Sequence, residues 1–299
     1  MIRLIRLFVS FVFRFSPLDS RWHLWDNTPM LHLRTIRLNL DSLDETERQQ
    51  YPFNIPALQQ EEGIELTSPV TFLVGENGSG KSTLIEALAT AVSAYTVGSE
   101  DITQDATLAP VRHLADRLRL VWSIKTRSGF FLRAEDFFGY IKRLSQMEAE
   151  LLAEIRQVDK TYVGRSEKAK GLAKMPYMTE LNALRSRYGR HLSTYSHGES
   201  FLELFQSRFQ PNSLYLLDEP ETPLSPMRQL TLLSMMKEMV AQNCQFIVAT
   251  HSPILMAFPE ATLLSFDYTP AQAVDYETLE HVTITRSFLN NPEQYLRHL

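Results

Sequence analysis

Several absences narrow the reading of this chain at once. It has one cysteine, Cys244, which excludes an internal disulfide framework and a cysteine-built zinc site. It has no surplus of positive charge. Its 30 Lys and Arg face 35 Asp and Glu, giving a net charge of −5, which excludes a uniformly basic surface but allows a local basic patch. It has no long apolar run at its start: the uncharged stretch from Leu7 to Phe13 falls far short of the ~20 residues that span a bilayer. Helix-turn-helix, zinc-finger and aromatic RNA-binding patterns are missing, as are internal repeats and low-complexity tracts. What is present is ordinary globular composition, 44% hydrophobic and 22% charged, so disorder is not the main state. A chain of 299 residues has room for one large domain, or one domain with an inserted lobe.

The first 29 residues stand apart. Basic residues followed by an apolar stretch are the opening of an export signal, but Arg14 interrupts it and no small-x-small cleavage site follows before Trp22. An amphipathic segment that lies on a membrane or binds a partner is another reading. Because residues 30–38 begin like a first strand, residues 1–29 are expected to be an over-translated extension ahead of Met30. A cytoplasmic location is expected.

The chemistry starts at residue 70. Val70 to Val74 is a β-branched and aromatic run with strand character, and residues 84–92 read as a helix. Between them stand Gly75, Glu76, Asn77, Gly78, Ser79, Gly80, Lys81, Ser82 and Thr83, which fit G-x-x-x-x-G-K-[ST]. Such a loop curls backbone N–H groups around a phosphate, and the helix N-terminus adds its dipole. Lys81 is expected to reach the β- and γ-phosphates, and the Ser82 hydroxyl to bind Mg²⁺.

Two further strand-like runs end in polar residues. Ser213 to Leu217 leads into Asp218 and Glu219. An acid at the C-terminal end of a strand parallel to the phosphate-loop strand would face the nucleotide. Asp218 is expected to hold Mg²⁺, and Glu219 to orient or deprotonate the attacking water. Cys244 to Thr250 leads into His251, placed to sense the γ-phosphate; Cys244 itself is expected to be a core residue.

With these residues in view, the chain resembles the ABC-type ATPase superfamily. Gly75–Ser82 is similar to its Walker A loop, Ser196-His197-Gly198-Glu199-Ser200 to its signature loop, and 214–219 to Walker B. Leu224-Ser225-Pro226 is similar to the D-loop and His251 to the switch histidine. More narrowly, residues 218–226, 249–253 and 285–292 look like the small stand-alone ATPases of the OLD, RecF and SMC-like group. The resemblance implies ATP and Mg²⁺ as cofactors and catalysis by Glu219, His251 and Lys81. It also implies a homodimer that sandwiches ATP, in which Ser196, Gly198 and Glu199 of one subunit complete the other's site. His197 departs from the usual first signature glycine, and Glu199 takes a place where transporter subunits usually carry Gln. No Q-loop glutamine follows residues 129–133, where Ala134, Glu135 and Asp136 stand instead. Tyr51 or Phe53 is the expected adenine-stacking residue, the other packing in the sheet.

The 115 residues from Lys81 to Ser196 leave room for a lobe, placed at about 134–195 within an ATPase domain spanning 30–299. Phe137, Ile141, Leu144, Leu151, Ile155 and Val158 alternate 4-3, broken at Glu148. Met178, Leu181, Leu184 and Tyr188 form a second stripe, with Gly164 to Met175 read as a polar, flexible stretch between them. Residues 142–192 carry eleven Lys and Arg against six Asp and Glu, a local excess of +5 that could track a phosphate backbone or be a solvated face. The expected fold is therefore α/β, a P-loop NTPase of ABC type with a mixed sheet and an inserted short helical lobe. Its expected function is ATP hydrolysis linked to DNA repair, defence or chromosome maintenance. A transporter's ATP-binding subunit, or an ATP-gated switch for an unknown protein partner, are the alternatives.

Overall fold

The structure is a computed structural model that describes residues 31–41, 43–60, 62–97, 109–188 and 197–297. The extension over residues 1–29 lies outside the described residues.

Among the described residues, seven strands form the central sheet. In spatial order they are β10 (Gln272–Ala273), β9 (Thr262–Ser265), β3 (Val70–Val74), β8 (Gln245–Ala249), β7 (Leu214–Asp218), β6 (Gly129–Arg133) and β4 (Tyr95–Val97). All neighbours pair in parallel except β10, which runs antiparallel on β9 at the edge, so the sheet is mixed. A second, antiparallel sheet of three strands packs β1 (Leu33–Leu38) between β2 (Ile64–Glu65) and β5 (Leu118–Trp122).

The central strands are buried on both faces, which parallel strands require. Every residue of β3, β7 and β8 is buried. Strand alternation then deals side chains to two cores. Leu73, Leu216, Ile247 and Ala249 enter one, packed on helix α1 (Lys81–Ala91) through Leu84, Ile85 and Leu88. Phe72, Val74, Tyr215, Leu217, Phe246 and Val248 enter the other. Helix α5 (His197–Arg208) lines that second core with Phe201 and Phe205, which join Phe130, Phe137, Phe209, Tyr215 and Phe246 in a connected aromatic cluster. Each such aromatic pair contributes about 0.5–1.5 kcal/mol beyond its buried area.

Ser225 stands as N-cap of helix α6 (Pro226–Val240) with Pro226 in the first turn. Met235, Met236 and Met239 of α6 fill the second core. Cys244 is buried there, and its thiol donates to the Gln210 carbonyl. The side chain of Gln245, at the start of β8, joins the two sheets. Its Oε1 accepts from the backbone N–H of His32 and Leu33, and its Nε2 donates to the Leu33 carbonyl.

After β6 the chain enters α3 (Ala134–Thr161) with no intervening loop and returns in α4 (Glu167–Tyr188). Glu148 pairs with Arg185 and Asp159 with Lys174, an equal step of eleven along each helix, so the pair is antiparallel in constant register. The break at Glu148 thus has a physical cause: its side chain is buried, and Arg185 Nε donates to it at 2.8 Å beside Leu144 and Leu184. Two expectations need correction. Gly164 to Met175 is not a flexible stretch, because α4 is already helical from Glu167 and tolerates Pro176 in its interior. Met178 does not belong to the buried stripe; it is exposed, while Leu181 and Leu184 are buried.

At Gly129 the backbone of β6 leaves no room for a side chain against β7. It opens β6 at φ +114°, and a Cβ there would stand 1.8 Å from the Leu214 carbonyl oxygen of β7. Gly129→Ala is expected to destabilise the domain by about 3 kcal/mol or more, through strain and loss of β6–β7 pairing. Denaturant unfolding checks this; an unchanged midpoint would contradict the register.

Candidate functional site

Parallel register brings three chain segments to one edge of the sheet. Leu73 lies opposite Ala249, and Ala249 opposite Asp218. The residues that leave these strands at their C-terminal ends are therefore neighbours: Gly75 to Gly80 after β3, Thr250 and His251 after β8, and Glu219 after Asp218 of β7. Ligands of open α/β sheets bind outside such ends.

The loop after β3 closes on itself. Gly80 is the N-cap of α1 at φ +102°, a conformation that favours glycine, and a Cβ there would meet Ile55 Cγ2 at 2.6 Å. The Lys81 ammonium donates to the carbonyls of Gly75 and Glu76, each at 2.7 Å. Burial lowers its pKa, while the carboxylates of Asp267, Glu219 and Asp218 oppose that shift. Asp267, just beyond β9, accepts from the Glu76 N–H at 2.8 Å and so pins the loop from the far side. Tyr51 is exposed, and its hydroxyl lies 3.1 Å from Thr83 Oγ1. Phe53 is buried and meets the exposed His113 edge-on, which removes it as a stacking residue.

The two expected Mg²⁺ ligands touch. Ser82 Oγ donates to Asp218 Oδ1 at 3.1 Å. Burial, aided by the Glu86 carboxylate, pushes Asp218 up to about 7, against the hydrogen bond from Ser82. A buried carboxylate and a hydroxyl side by side are hard oxygen donors, and a carboxyl raised by burial gains from a nearby cation. The pair suits Mg²⁺ completed by phosphate and water. Glu86, also raised by burial, is held by Arg133 at 2.8 Å. Arg133, opposite Asp218 in register, donates at the same time to both carboxylate oxygens of Asp136 on α3.

Glu219 sits at φ +49°, an uncommon conformation for a non-glycine residue, and its N–H donates to the Ala249 carbonyl. That bond fixes the turn and leaves the carboxylate half-exposed, with Oε1 3.9 Å from His251 Nε2. The His251 backbone N–H donates to Glu221 at 2.7 Å, and its Nδ1 lies 3.1 Å from His281 Nε2 on helix α8 (Glu280–Asn290). Burial, then the charge of Lys81 and the neighbouring His281, lower the His251 pKa and favour the neutral ring.

The edge therefore gathers Gly75 to Thr83, Asp218, Glu219 and His251. It does not settle the rest of the expected set. Ser196 lies outside the described residues; Gly198 and Glu199 fall in the first turn of α5, with side chains outside them. Sequence reasoning missed Asp267, Glu221, His281 and the Arg133–Glu86–Asp136 cluster. Only Arg133 and Asp136 carried a signal, the first ending the strand that should lead to a Q-loop and the second standing among the residues found in its place.

Two family models match separate parts of the chain. One, an AAA domain, covers residues 53–162; the other, described as "AAA domain, putative AbiEii toxin, Type IV TA system", covers residues 199–257. No curated relative matches the chain. Among solved structures it is similar to the Smc head domain derived from Pyrococcus furiosus, crystallised with the C-terminal domain of ScpA (11% identity, 88% of this chain and 100% of that one, TM-score 0.42). It is also similar to cbiO1 from Clostridium perfringens, part of an ABC transporter complex (17% identity, 90% and 100%, TM-score 0.40). A third is the SMC head domain from Thermotoga maritima (17% identity, 82% and 98%, TM-score 0.38).

The raised Asp218 pKa has a stability consequence. The folded carboxyl holds its proton up to about 7 while the unfolded one releases it near 3.8, so stability is lost as pH rises between those values. Above pH 7 the buried charge, which the Ser82 hydrogen bond and Arg133 offset only in part, is a standing cost. Without nucleotide and metal, Asp218→Asn is expected to be more stable than the parent at pH 8, with the gap growing by roughly 1.4 kcal/mol per pH unit across that window. Denaturant unfolding from pH 4 to 8 checks this; a pH-independent gap would refute it.

Proposed function

We propose that this chain, a P-loop ATPase domain of the ABC/SMC-like type by its motifs, its fold and its AAA-domain matches, hydrolyses Mg-ATP as an ATP-gated homodimer. The observation that carries the reading is the Ser82–Asp218 contact at the same sheet edge as Lys81, Glu219 and His251.

In this reading the loop from Gly75 to Thr83 wraps the β-phosphate, and Lys81 turns from its own loop carbonyls to the phosphates. Ser82 and Asp218 hold Mg²⁺, which when bound neutralises charge on the phosphate oxygens. Glu219 accepts a proton from the attacking water as the water oxygen bonds to the γ-phosphorus. The bond from that phosphorus to the bridging oxygen breaks, and ADP and phosphate leave. His251 Nε2 donates to a γ-phosphate oxygen. Ser196, Gly198 and Glu199 of the second subunit complete the site, and Tyr51, whose hydroxyl lies beside Thr83, stacks on adenine.

For the process driven by hydrolysis, a nucleic-acid-linked role in repair, defence or chromosome maintenance has most support. The net positive lobe begins one residue beyond Arg133, whose ion pairs reach both the lobe and α1 behind the nucleotide. A transporter subunit is disfavoured, since Arg133 and the start of α3 stand where a Q-loop would couple to a permease. Among the described residues no helix is long and apolar enough to cross a membrane. The second family model's description names a toxin, which keeps an ATP-gated switch for a partner protein as the alternative. A cytoplasmic location goes with either role.

Glu219→Gln is expected to lower the hydrolysis rate about 100-fold or more while retaining ATP. It should elute as a dimer with Mg-ATP and as a monomer without; a monomer in both conditions would refute the homodimer. Linear duplex DNA at low salt is expected to stimulate the parent's hydrolysis, with Lys81→Ala as blank, and the effect should fade as salt rises. Hydrolysis indifferent to DNA would redirect the role to the protein switch.

A further inference from the structure

We infer that His281 is a positioning residue for His251, setting which ring nitrogen of His251 carries the proton and thereby aiming an N–H at the γ-phosphate site. This deepens the hydrolysis reading above and rests on it only for its kinetic consequence.

His251 has two ring nitrogens with opposite surroundings. Nδ1 is 3.1 Å from His281 Nε2. Nε2 is buried, has no hydrogen-bond partner among the described residues, and stands 3.9 Å from Glu219 Oε1. A neutral imidazole is donor at one nitrogen and acceptor at the other. The contact between the rings takes one proton, so two arrangements are open. If His251 Nδ1 held it, the Nε2 lone pair would point toward the Glu219 carboxylate, acceptor against acceptor. If His281 Nε2 holds it, His251 accepts at Nδ1 and presents Nε2–H to Glu219 and to any phosphate oxygen arriving there. The second arrangement satisfies both ends.

The surroundings of His251 favour its neutral ring. Burial, then the charge of Lys81 and the neighbouring His281, disfavour an imidazolium at His251, while Glu219 and Glu76 oppose that shift more weakly. Position is fixed as well as protonation. Leu279 and Val282, flanking His281, are buried in the second core, and Glu221 holds the His251 backbone. Ring and backbone of His251 are thus held from two separate segments, and the γ-phosphate sensor is tied to α8.

The test has two arms on the full chain. Nitrogen-15 NMR of histidine-labelled, nucleotide-free protein, with His251 assigned through His251→Ala, is expected to show the Nε2–H tautomer with Nδ1 accepting. His281→Phe should abolish that preference, and His281→Gln, whose amide can donate from a similar place, should restore it. An Nδ1–H tautomer in the parent, or a His251 signal indifferent to His281→Phe, overturns the inference whatever the hydrolysis rates are. In the kinetic arm, His281→Phe is expected to lower kcat on the order of tenfold to a hundredfold, as loss of an orienting partner does. KM for ATP and the melting temperature should hold, with partial recovery in His281→Gln. A kcat unchanged in His281→Phe but lost in His251→Ala overturns the positioning role alone. A kcat unchanged in His251→Ala refutes the γ-phosphate reading and leaves the NMR arm to decide the pair. Should His281→Phe fail to fold, the parent spectrum and His281→Gln still decide.

Discussion

The parallel pairing of β3, β8 and β7 is the constraint on which everything else depends. Three five-residue strands, buried on both faces, lie in a register that sets Leu73 opposite Ala249 and Ala249 opposite Asp218. Because the strands are parallel, their C-terminal ends share one edge, and the polar residue following each strand is delivered to one place. A slip of one residue in either pairing would turn a buried side chain to the opposite core and move an acid or the loop away from the edge. The burial that fixes this register, at about 1.5–3 kcal/mol for each large apolar side chain, therefore also fixes the chemistry.

That burial has a cost at the site itself. Asp218 is the last residue of a fully buried strand, so its carboxylate is desolvated and shares its surroundings with Glu86. The protein answers with Ser82 and Arg133 rather than with a lysine aimed at the acid. Lys81 meanwhile donates to its own loop carbonyls, and Asp267 braces the loop from β9's side. Each ionisable group at this edge is held by a hydrogen bond or a neighbouring charge that a bound anion and cation would rearrange.

The lobe follows a different logic. Its two helices bury little, with a core centred on Leu144 and Leu184, and ion pairs at Glu148–Arg185 and Asp159–Lys174 set their register. Such pairs contribute modestly to stability but discriminate among registers, because a shifted hairpin would leave the buried Glu148 unpaired. Arg133, at the junction, ties the start of the lobe to α1.

Much of this was legible in the chain. Local pattern alone marked β3, β7 and β8 as apolar runs, the glycine loop between strand and helix, and the acids and histidine just past the strand ends. It also marked the 4-3 spacing of α3, because burial and helix periodicity leave their imprint on consecutive residues. Glu148 looked like a break in that spacing, since its partner lies on another helix. Gly164 to Met175 looked flexible because its polar residues obey no apolar period, yet the second helix begins within it. The partners of the site residues, Asp267 for the loop, Glu221 and His281 for His251, and Arg133 for Glu86, are brought in from distant parts of the chain. No spacing announces them. The sequence by itself determined which residues could bind a phosphate and where the strands would run, because those depend on near neighbours. The tertiary structure alone decided which side chains restrain them, because contacts such as Glu76–Asp267, 191 residues apart in the chain, arise only once the sheet has formed.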